Sequence, residues 1–173
     1  MSKTIDRNIF LIGFMGAGKS TIARSLQKSL KFPLVEMDER IVREQGMSIN
    51  EIFEKYGEDH FRDIESELIL TIGKEGTSIV SCGGGVVVRP QNVKNMKKSG
   101  KIVFLKATSE TIYERVKNST DRPILNGHMN VEYIAQLMEK RRALYEGAAD
   151  ITIKTDGKTK EEICREIIGR LEE

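Results

Sequence analysis

An eight-residue segment near the start of the chain constrains its fold more than any other feature. Residues 13–20 read GFMGAGKS and match the pattern G-x-x-x-x-G-K-[ST]. The apolar run NIFLIGF leads into the segment, and a helical pattern that begins near Lys19 follows it, with Ile22, Ala23, Leu26 and Leu30 on one stripe. An apolar strand, a glycine-rich turn and a helix in this order predict a phosphate-binding loop.

This loop predicts how a nucleotide would be held. Glycines let backbone N–H groups wrap the phosphates, and the helix N-terminus adds its positive dipole end. Lys19 is expected to reach the β- and γ-phosphates, and Ser20 to ligate Mg²⁺. The segment assigned to the nucleotide comprises Gly16, Ala17, Gly18, Lys19, Ser20 and Thr21. The motif disfavours a turn without a ligand, but it does not distinguish phosphate transfer from a nucleotide switch or simple binding.

Alternating apolar runs and helical patterns predict the fold class. The runs are NIFLIGF, PLVEM, SIVSC, KIVFL and DITIK, and helical spacing follows each of them. Five such strands predict an α/β fold with a parallel sheet covered on both faces. A chain of 173 residues fits one domain over residues 1–173 with a short insertion.

Two segments depart from this alternation. Ser48 and Glu51 form a capping box that opens a helix, and a second helix is predicted over Glu58–Lys74, so a helical insertion separates strands two and three. Residues 118–130 lack periodicity and contain Asp121, Arg122, Pro123, Gly127 and His128. That composition is typical of a surface loop, and we interpret it as a lid.

Composition and charge exclude several classes of protein. The net charge is +2 with both signs interspersed, which disfavours nucleic-acid and membrane partners. No signal peptide or membrane span is recognisable, so a cytoplasmic protein is expected. Cys82 and Cys164 form no CxxC pair and no Cys/His cluster, which disfavours a disulfide or zinc site. His60 and His128 are interpreted as solvated side chains.

Acidic residues at the end of the second predicted strand suggest chemistry beside the phosphate loop. Glu36 and Asp38 stand two residues apart, so on a strand both would point the same way, at roughly 6.6 Å. One carboxylate could hold Mg²⁺ while the other accepts a proton from an acceptor hydroxyl. The alternative is a solvated strand end, with Asp38 capping the next helix.

Basic residues and glycines complete the candidate residues. Arg62 and Glu65, taken alone, are interpreted as a surface i,i+3 ion pair. Gly83, Gly84 and Gly85 follow the third strand at the ligand-binding edge of the sheet, where they allow close backbone approach. Arg122 and Arg141 suit a carboxylate and a phosphate, and Arg115 and Arg142 are further candidates.

Six segments together resemble the shikimate kinase family: GFMGAGKST, EMDERI, FRDIE, CGGGVV, DRPIL and RRALY. They span most of the chain in the family's order. The resemblance implies a P-loop NTPase-type α/β/α sandwich, like nucleoside monophosphate kinases, with a substrate-binding insertion over about 38–73 and a lid over about 118–130. It also implies transfer of phosphate from ATP to shikimate, giving shikimate 3-phosphate, with Mg²⁺, by a cytoplasmic monomer in aromatic amino-acid biosynthesis.

The resemblance also implies site residues. Those matching shikimate-binding positions are Asp38, Arg62, Gly84 and Arg141, with Asp38 on the reacting hydroxyl and both arginines on the carboxylate. Lys19 and Arg122 would stabilise the transferring phosphoryl group. Ser20 would bind Mg²⁺, Glu36 would hold it through water, and Arg115 would lie against adenine.

Two departures and three alternatives accompany the resemblance. Glu36 stands where the family usually has Asp, and Ala143 where it usually has Pro, which bears on metal binding and on the backbone beside Arg141. A gluconate-type kinase would share the fold, but FRDIE and RRALY argue against it. The chain lacks the N-K-x-D motif of a guanine-nucleotide switch. A regulatory ATP binder is disfavoured because Lys19, Asp38 and Arg122 are all present.

Overall fold

The computed structural model describes residues 5–117 and 130–173 and contains a five-stranded sheet. The strands are β1 (Asn8–Ile12), β2 (Leu34–Glu36), β3 (Ile79–Ser81), β4 (Gly100–Lys106) and β5 (Ile151–Lys154). Their order across the sheet is β2-β3-β1-β4-β5, and every neighbouring pair is parallel. The predicted five-stranded parallel sheet is confirmed.

Helices cover both faces of this sheet. They are α1 (Lys19–Leu30), α2 (Met37–Gln45), α3 (Ile49–Tyr56), α4 (Glu58–Lys74), α5 (Pro90–Ser99), α6 (Ser109–Val116), α7 (Val131–Ala148) and α8 (Lys160–Leu171), with a 3₁₀ turn at Val86–Val88. Helix α1 packs against α8, and α5 packs against α4. All five residues of β1 are buried, which requires cover on both sides, so the architecture is the predicted three-layer sandwich.

The strand order places the candidate site. After β1 the chain moves to β2 and β3 on one side, and it later returns to β4 and β5 on the other. Such a reversal leaves a crevice at the carboxyl ends of the strands. Leu11 of β1 pairs with Ser81 of β3, so the phosphate loop and the glycine run emerge side by side.

The helical insertion between β2 and β3 consists of α2, α3 and α4. Ser48 accepts a hydrogen bond from the Glu51 backbone, and the Glu51 side chain accepts one from the Ser48 backbone, so the predicted capping box is confirmed. Helix α4 has the predicted bounds. Arg40 of α2 holds the C-terminal end of α4 by donating to both carboxylate oxygens of Glu75, at 2.7 and 2.9 Å.

The structure also bears on Cys164, on the predicted lid and on membrane-spanning helices. Cys164 is buried on α8, on one stripe with Ile163 and Ile167. Arg122 and His128 of the predicted lid lie outside the described residues. Among the described helices, none is both long enough and apolar enough to cross a bilayer.

Candidate active site

The phosphate loop joins β1 to α1 through glycines in unusual backbone conformations. Gly16 (φ 84°) and Gly18 (φ 98°) lie in the left-handed region, where a side chain would be strained. Gly18 caps α1 without a side-chain hydrogen bond to the first turn. Because the first N–H groups of a helix have no partner within it, they are suited to an anion at this end.

Lys19 folds back over the loop that it follows. Its ammonium group donates to the carbonyl oxygens of Gly13, at 2.5 Å, and Phe14, at 3.3 Å. The side chain is half-buried and lines a cleft of ≈ 440 Å³. This cleft also contains Ser20, Glu36, Asp38 and Arg115 and part of the glycine run, so it joins the phosphate loop to the carboxyl edge of the sheet.

Ser20 and Glu36 meet on the side of the cleft formed by β2. The Ser20 hydroxyl donates to Glu36 Oε2 at 2.8 Å. Glu36 Oε1 is buried and accepts no hydrogen bond from the described residues, and Arg24 Nη1 lies 3.8 Å from it. A hydroxyl and a carboxylate with a spare oxygen are the hard ligands that Mg²⁺ prefers.

Asp38 does not extend β2, contrary to the sequence prediction. Strand β2 ends at Glu36, the Met37 side chain is fully buried, and Asp38 lies in the first turn of α2. A carboxylate is favoured there by the positive end of the helix dipole. The prediction that Glu36 and Asp38 point the same way along one strand is therefore wrong, although both line the cleft.

Arg62 and Glu65 form a buried ion pair rather than the surface pair expected from their spacing alone. Their side chains are 6% and 0% exposed, and Arg62 Nη1 donates to Glu65 Oε1 at 3.0 Å. Arg62 Nη2 also donates to the more exposed Glu58 at 3.2 Å. The interpretation as a solvated pair is wrong because α4 turns this face inward, onto the glycine run.

Close packing explains the glycine run. A Cβ on Gly85 would lie 2.3 Å from Arg62 Nη2, and one on Gly83 would lie 2.8 Å from Glu65 Oε2 and 3.0 Å from Asp38 Oδ1. Such distances exclude any side chain unless the charged groups move. The run therefore brings the backbone against Asp38, Arg62 and Glu65 at once.

Asp38, Arg62 and Glu65 form a charged cluster, and helix α7 supplies its other side. Arg141 is buried, with its Nη1 atom 3.6 Å from where a Cβ of Gly84 would stand. One turn later, the Tyr145 hydroxyl donates a short hydrogen bond to the Gly84 carbonyl, and its ring stacks on Phe104 with centroids 5.1 Å apart. Tyr145 thereby fixes α7, and with it Arg141, against the glycine run.

Glu65 is the central residue of the cluster, and sequence reasoning had given it no role beyond pairing with Arg62. Burial raises the pKa of Glu65; Arg62 and Arg141 oppose that shift, and Asp38 adds to it. One signal could have identified it. Glu65 falls on the helical stripe of Phe61, Leu68 and Ile72, all of which are buried.

Two buried donors of the cluster have no hydrogen-bond partner among the described residues. Within residues 5–117 and 130–173, neither Arg62 Nε nor Arg141 Nη1 donates a hydrogen bond. A buried N–H donor without an acceptor costs more than a satisfied one, so these two N–H groups are suited to an anionic ligand. Arg141 lies against Gly84, which lines the cleft, and Arg62 lies against the adjacent Gly85.

Of the remaining candidate residues, some line the cleft and others lie on the surface. Arg115 lines the cleft and donates to the Gly16 carbonyl at 2.9 Å. Arg142 points away and pairs with Glu139 and Glu146 on the surface of α7. Burial raises the pKa of the Cys82 thiol, which lies on the cleft wall. In the described part of the chain, no three His, Cys, Asp or Glu side chains converge as a metal cluster would require.

Comparisons with known proteins identify the family of this chain. The family model described as shikimate kinase matches residues 15–172. A shikimate kinase from Thermodesulfovibrio yellowstonii is 45% identical over 166 residues, which cover 96% of this chain and 95% of the relative.

Solved structures include both members of the same family and proteins that share only the fold. Shikimate kinase from Acinetobacter baumannii, in complex with shikimate, superposes with a TM-score of 0.92 at 30% identity, covering 97% of this chain and 93% of its own. A gluconokinase from Sinorhizobium meliloti reaches a TM-score of 0.60 at 15% identity, covering 98% and 93%, which shows a shared fold alone. The chain belongs to the shikimate kinase family.

Proposed function

We propose that this chain transfers the γ-phosphate of ATP to the 3-hydroxyl of shikimate, giving ADP and shikimate 3-phosphate. The observation that carries the proposal is the pair of buried N–H donors, Arg62 Nε and Arg141 Nη1, close to Asp38 and to the phosphate loop. A carboxylate on the acceptor would satisfy both guanidinium groups. A hydroxyl on the same molecule could then face Asp38.

The proposed reaction balances with the residues present. Asp38 accepts the proton of the acceptor hydroxyl while the oxygen of that hydroxyl forms a bond to the γ-phosphorus of ATP. The bond from that phosphorus to the β,γ-bridging oxygen breaks, and ADP leaves with the electron pair. Lys19 would exchange its two loop carbonyls for phosphate oxygens, while the backbone from Gly16 to Thr21 holds the phosphates.

Other residues would orient the ligands. Ser20 and Glu36 fit a Mg²⁺ ion, which would neutralise charge on the phosphates, and the longer glutamate already reaches the serine hydroxyl. Arg115 would lie beside the base, and Gly84 would meet the acceptor through its backbone. Arg122, which lies outside the described residues, is proposed to stabilise the transferring phosphoryl group.

A coupled ADP-release assay tests the reaction. Shikimate, gluconate and no acceptor would be compared at equal ATP and Mg²⁺. We expect ADP release with shikimate well above the other two, and phosphorylated shikimate as the product by mass spectrometry. Equal rates with gluconate and shikimate, or release without any acceptor, would contradict the proposal.

Adjacent arginines on α7 offer a matched test of the acceptor site. Arg141→Ala should weaken acceptor binding by about 1.5 to 3 kcal/mol, the value of a charge-assisted hydrogen bond, which is roughly a 10- to 150-fold rise in KM. Arg142→Ala removes the same side chain from the surface and should leave KM within about twofold. ATP affinity should not change in either variant, and equal loss for both ligands in Arg141→Ala would refute this placement.

We also propose that the enzyme acts as a monomer in the cytoplasm. The phosphate loop, Asp38, Arg62 and Arg141 converge within a single fold, so the proposed chemistry needs no residue from a second copy. Sedimentation equilibrium across a tenfold range of concentration would test this, and a concentration-dependent dimer would contradict it.

A further inference from the structure

Arg89 holds the part of α4 that carries two residues of the charged cluster. Its Nη1 atom donates to Asp63 Oδ1 at 2.7 Å and to the Ser66 hydroxyl at 3.4 Å, and its Nη2 atom donates to the Asp59 carbonyl at 3.3 Å. These acceptors stand at positions i, i+4 and i+7, so they form one stripe on the surface of the helix. A single guanidinium group therefore binds α4 over two of its turns.

The neighbouring stripe of α4 faces the acceptor side of the site. Glu58, Arg62 and Glu65 have the same spacing, and each stands one residue before a partner of Arg89. Arg62 and Glu65 are buried and paired with each other against the glycine run. Because consecutive helical residues are about 100° apart around the axis, fixing one stripe also fixes the direction in which the other points.

The segment between Gly85 and Arg89 is short and held at both ends. It is the 3₁₀ turn Val86–Val88, whose last N–H donates to the Gly85 carbonyl at 3.0 Å. The first carbonyl of this turn accepts from the side chain of Asn92, also at 3.0 Å, and Asn92 is itself buried. The backbone thus fixes where Arg89 stands relative to Gly85.

These contacts close a ring that runs from Gly85 through Arg89 to α4 and back to Gly85. On the return side there is no spare room, since a Cβ on Gly85 would stand 2.3 Å from Arg62 Nη2. The distance between α4 and the glycine run is therefore set from outside by Arg89 and from inside by Arg62. A helix released by Arg89 could move, and its movement would displace Arg62 Nε, one of the two buried donors proposed for the acceptor.

We propose that Arg89 is a positioning residue for the acceptor, which holds α4 at a fixed distance from the glycine run so that Arg62 stays aligned with the acceptor. The inference rests on the proposed acceptor site and deepens it. A partly exposed ion pair contributes little to stability, so the effect of Arg89 should appear in acceptor affinity rather than in folding. This role requires no contact between Arg89 and the acceptor.

Glu75 provides a matched control at the far end of the same helix. Its carboxylate accepts from Arg40 at 2.7 and 2.9 Å, so it too is an exposed acid that ties α4 to an arginine of a neighbouring element. Glu75 lies about 20 Å along the helix from Arg62. A purely structural role for Arg89 predicts the same behaviour when either end of α4 is released.

Calorimetric titration with shikimate, in the absence of nucleotide, measures acceptor affinity directly. Arg89→Ala should raise the acceptor Kd by about 3- to 10-fold, a fraction of the roughly 100-fold that a misplacement of about 1 Å can cost. The kcat at saturating acceptor and the Kd for ATP should stay unchanged. Asp63→Ala should also raise the acceptor Kd, and Arg89→Lys, which can still pair with Asp63, should restore part of the affinity. Glu75→Ala should leave the acceptor Kd unchanged.

The Nε–H resonance of Arg62 gives a second readout that needs no acceptor. In NMR spectra of the arginine side chains, Arg89→Ala and Asp63→Ala should shift this resonance, because the guanidinium moves against the glycine run. Glu75→Ala should leave it in place.

The outcomes separate this inference from the proposed function. An unchanged acceptor Kd in Arg89→Ala, or an equal rise in Glu75→Ala, would overturn the positioning role. Asp63→Ala and Arg89→Lys keep it testable if Arg89→Ala fails to fold. A wild-type protein that did not bind shikimate would fail the proposed function, and the Arg62 resonance would still decide whether Arg89 positions that side chain.

Discussion

The two halves of the proposed site are built in opposite ways. The phosphate side consists of consecutive residues whose backbone, bent at Gly16 and Gly18, forms the binding surface. The acceptor side is assembled from side chains on α2, α4 and α7, packed against a glycine run. A backbone cradle depends on local conformation, whereas a side-chain cluster depends on long-range packing. Substitutions on the phosphate side should therefore change kcat, whereas substitutions on the acceptor side should change the KM for the acceptor.

The largest expected effect lies on the phosphate side. Lys19→Ala removes the ammonium group proposed to stabilise the transferring phosphoryl, and kcat should fall by at least about 100-fold with any acceptor. Steady-state ADP release measures this. Lys28→Ala, an exposed lysine on the same helix, is the control and should keep normal turnover. Normal turnover in Lys19→Ala would remove the assignment of the phosphate loop.

An intermediate effect is expected where the acceptor side packs most closely. Gly85→Ala places a Cβ within 2.3 Å of the Arg62 guanidinium and must displace it. A displaced guanidinium would lose its charge-assisted hydrogen bond to the acceptor, worth about 1.5 to 3 kcal/mol, so the acceptor KM should rise roughly 10- to 150-fold while the ATP Kd stays constant. The backbone at Gly85 is not left-handed, so the effect is steric.

Helix α7 contains a glycine that serves as the control for this substitution. A Cβ on Gly147 would meet no atom within 4 Å. Gly147→Ala should therefore stabilise the protein by about 0.5 to 1 kcal/mol and leave both KM values unchanged. If Gly85→Ala raised the KM for ATP as much as that for the acceptor, the two halves would not be separable.

The smallest effect concerns the ion pair that ties α2, which carries Asp38, to α4, which carries Arg62. Glu75→Gln weakens its two bonds to Arg40 and should cost about 0.5 to 1 kcal/mol at pH 7, since Glu75 is partly exposed. Hydrogen bonds from Arg40 hold the pKa of Glu75 below its usual 4.5. The wild-type advantage is therefore present above pH 4.5 and is lost as the pH falls through the lowered value.

Urea unfolding at pH 7 and pH 3 measures this dependence. Glu54 has no ion pair in the described part of the chain, so Glu54→Gln is the control. Its free energy of unfolding should equal that of the wild type at both pH values. An advantage of wild type over Glu75→Gln that persisted unchanged at pH 3 would show that the charge of Glu75 is not its source.

The same contrast explains what the sequence could predict. The phosphate loop was predictable down to the first residue of α1, because motif, strand and helix are contiguous. Asp38 was misplaced because alternation along a strand was extended beyond Glu36, where the helix had already begun. Spacing showed that Arg62 and Glu65 are neighbours on a helix, but their burial follows from contacts with Gly83 and Gly85, about twenty residues later. The Arg40–Glu75 pair joins residues 35 positions apart, and no local pattern signals it.

The contact between Gly85 and Arg62 also bears on how such an enzyme could acquire a new acceptor. A mutation that adds a side chain at position 85 displaces the guanidinium, and a smaller residue at position 62 leaves Glu65 buried without its counter-ion. Either single step weakens binding of the old acceptor before a new acceptor is gained. Evolution or engineering of specificity here would need positions 62, 65 and 85 to change together, which makes this corner of the protein resistant to gradual drift.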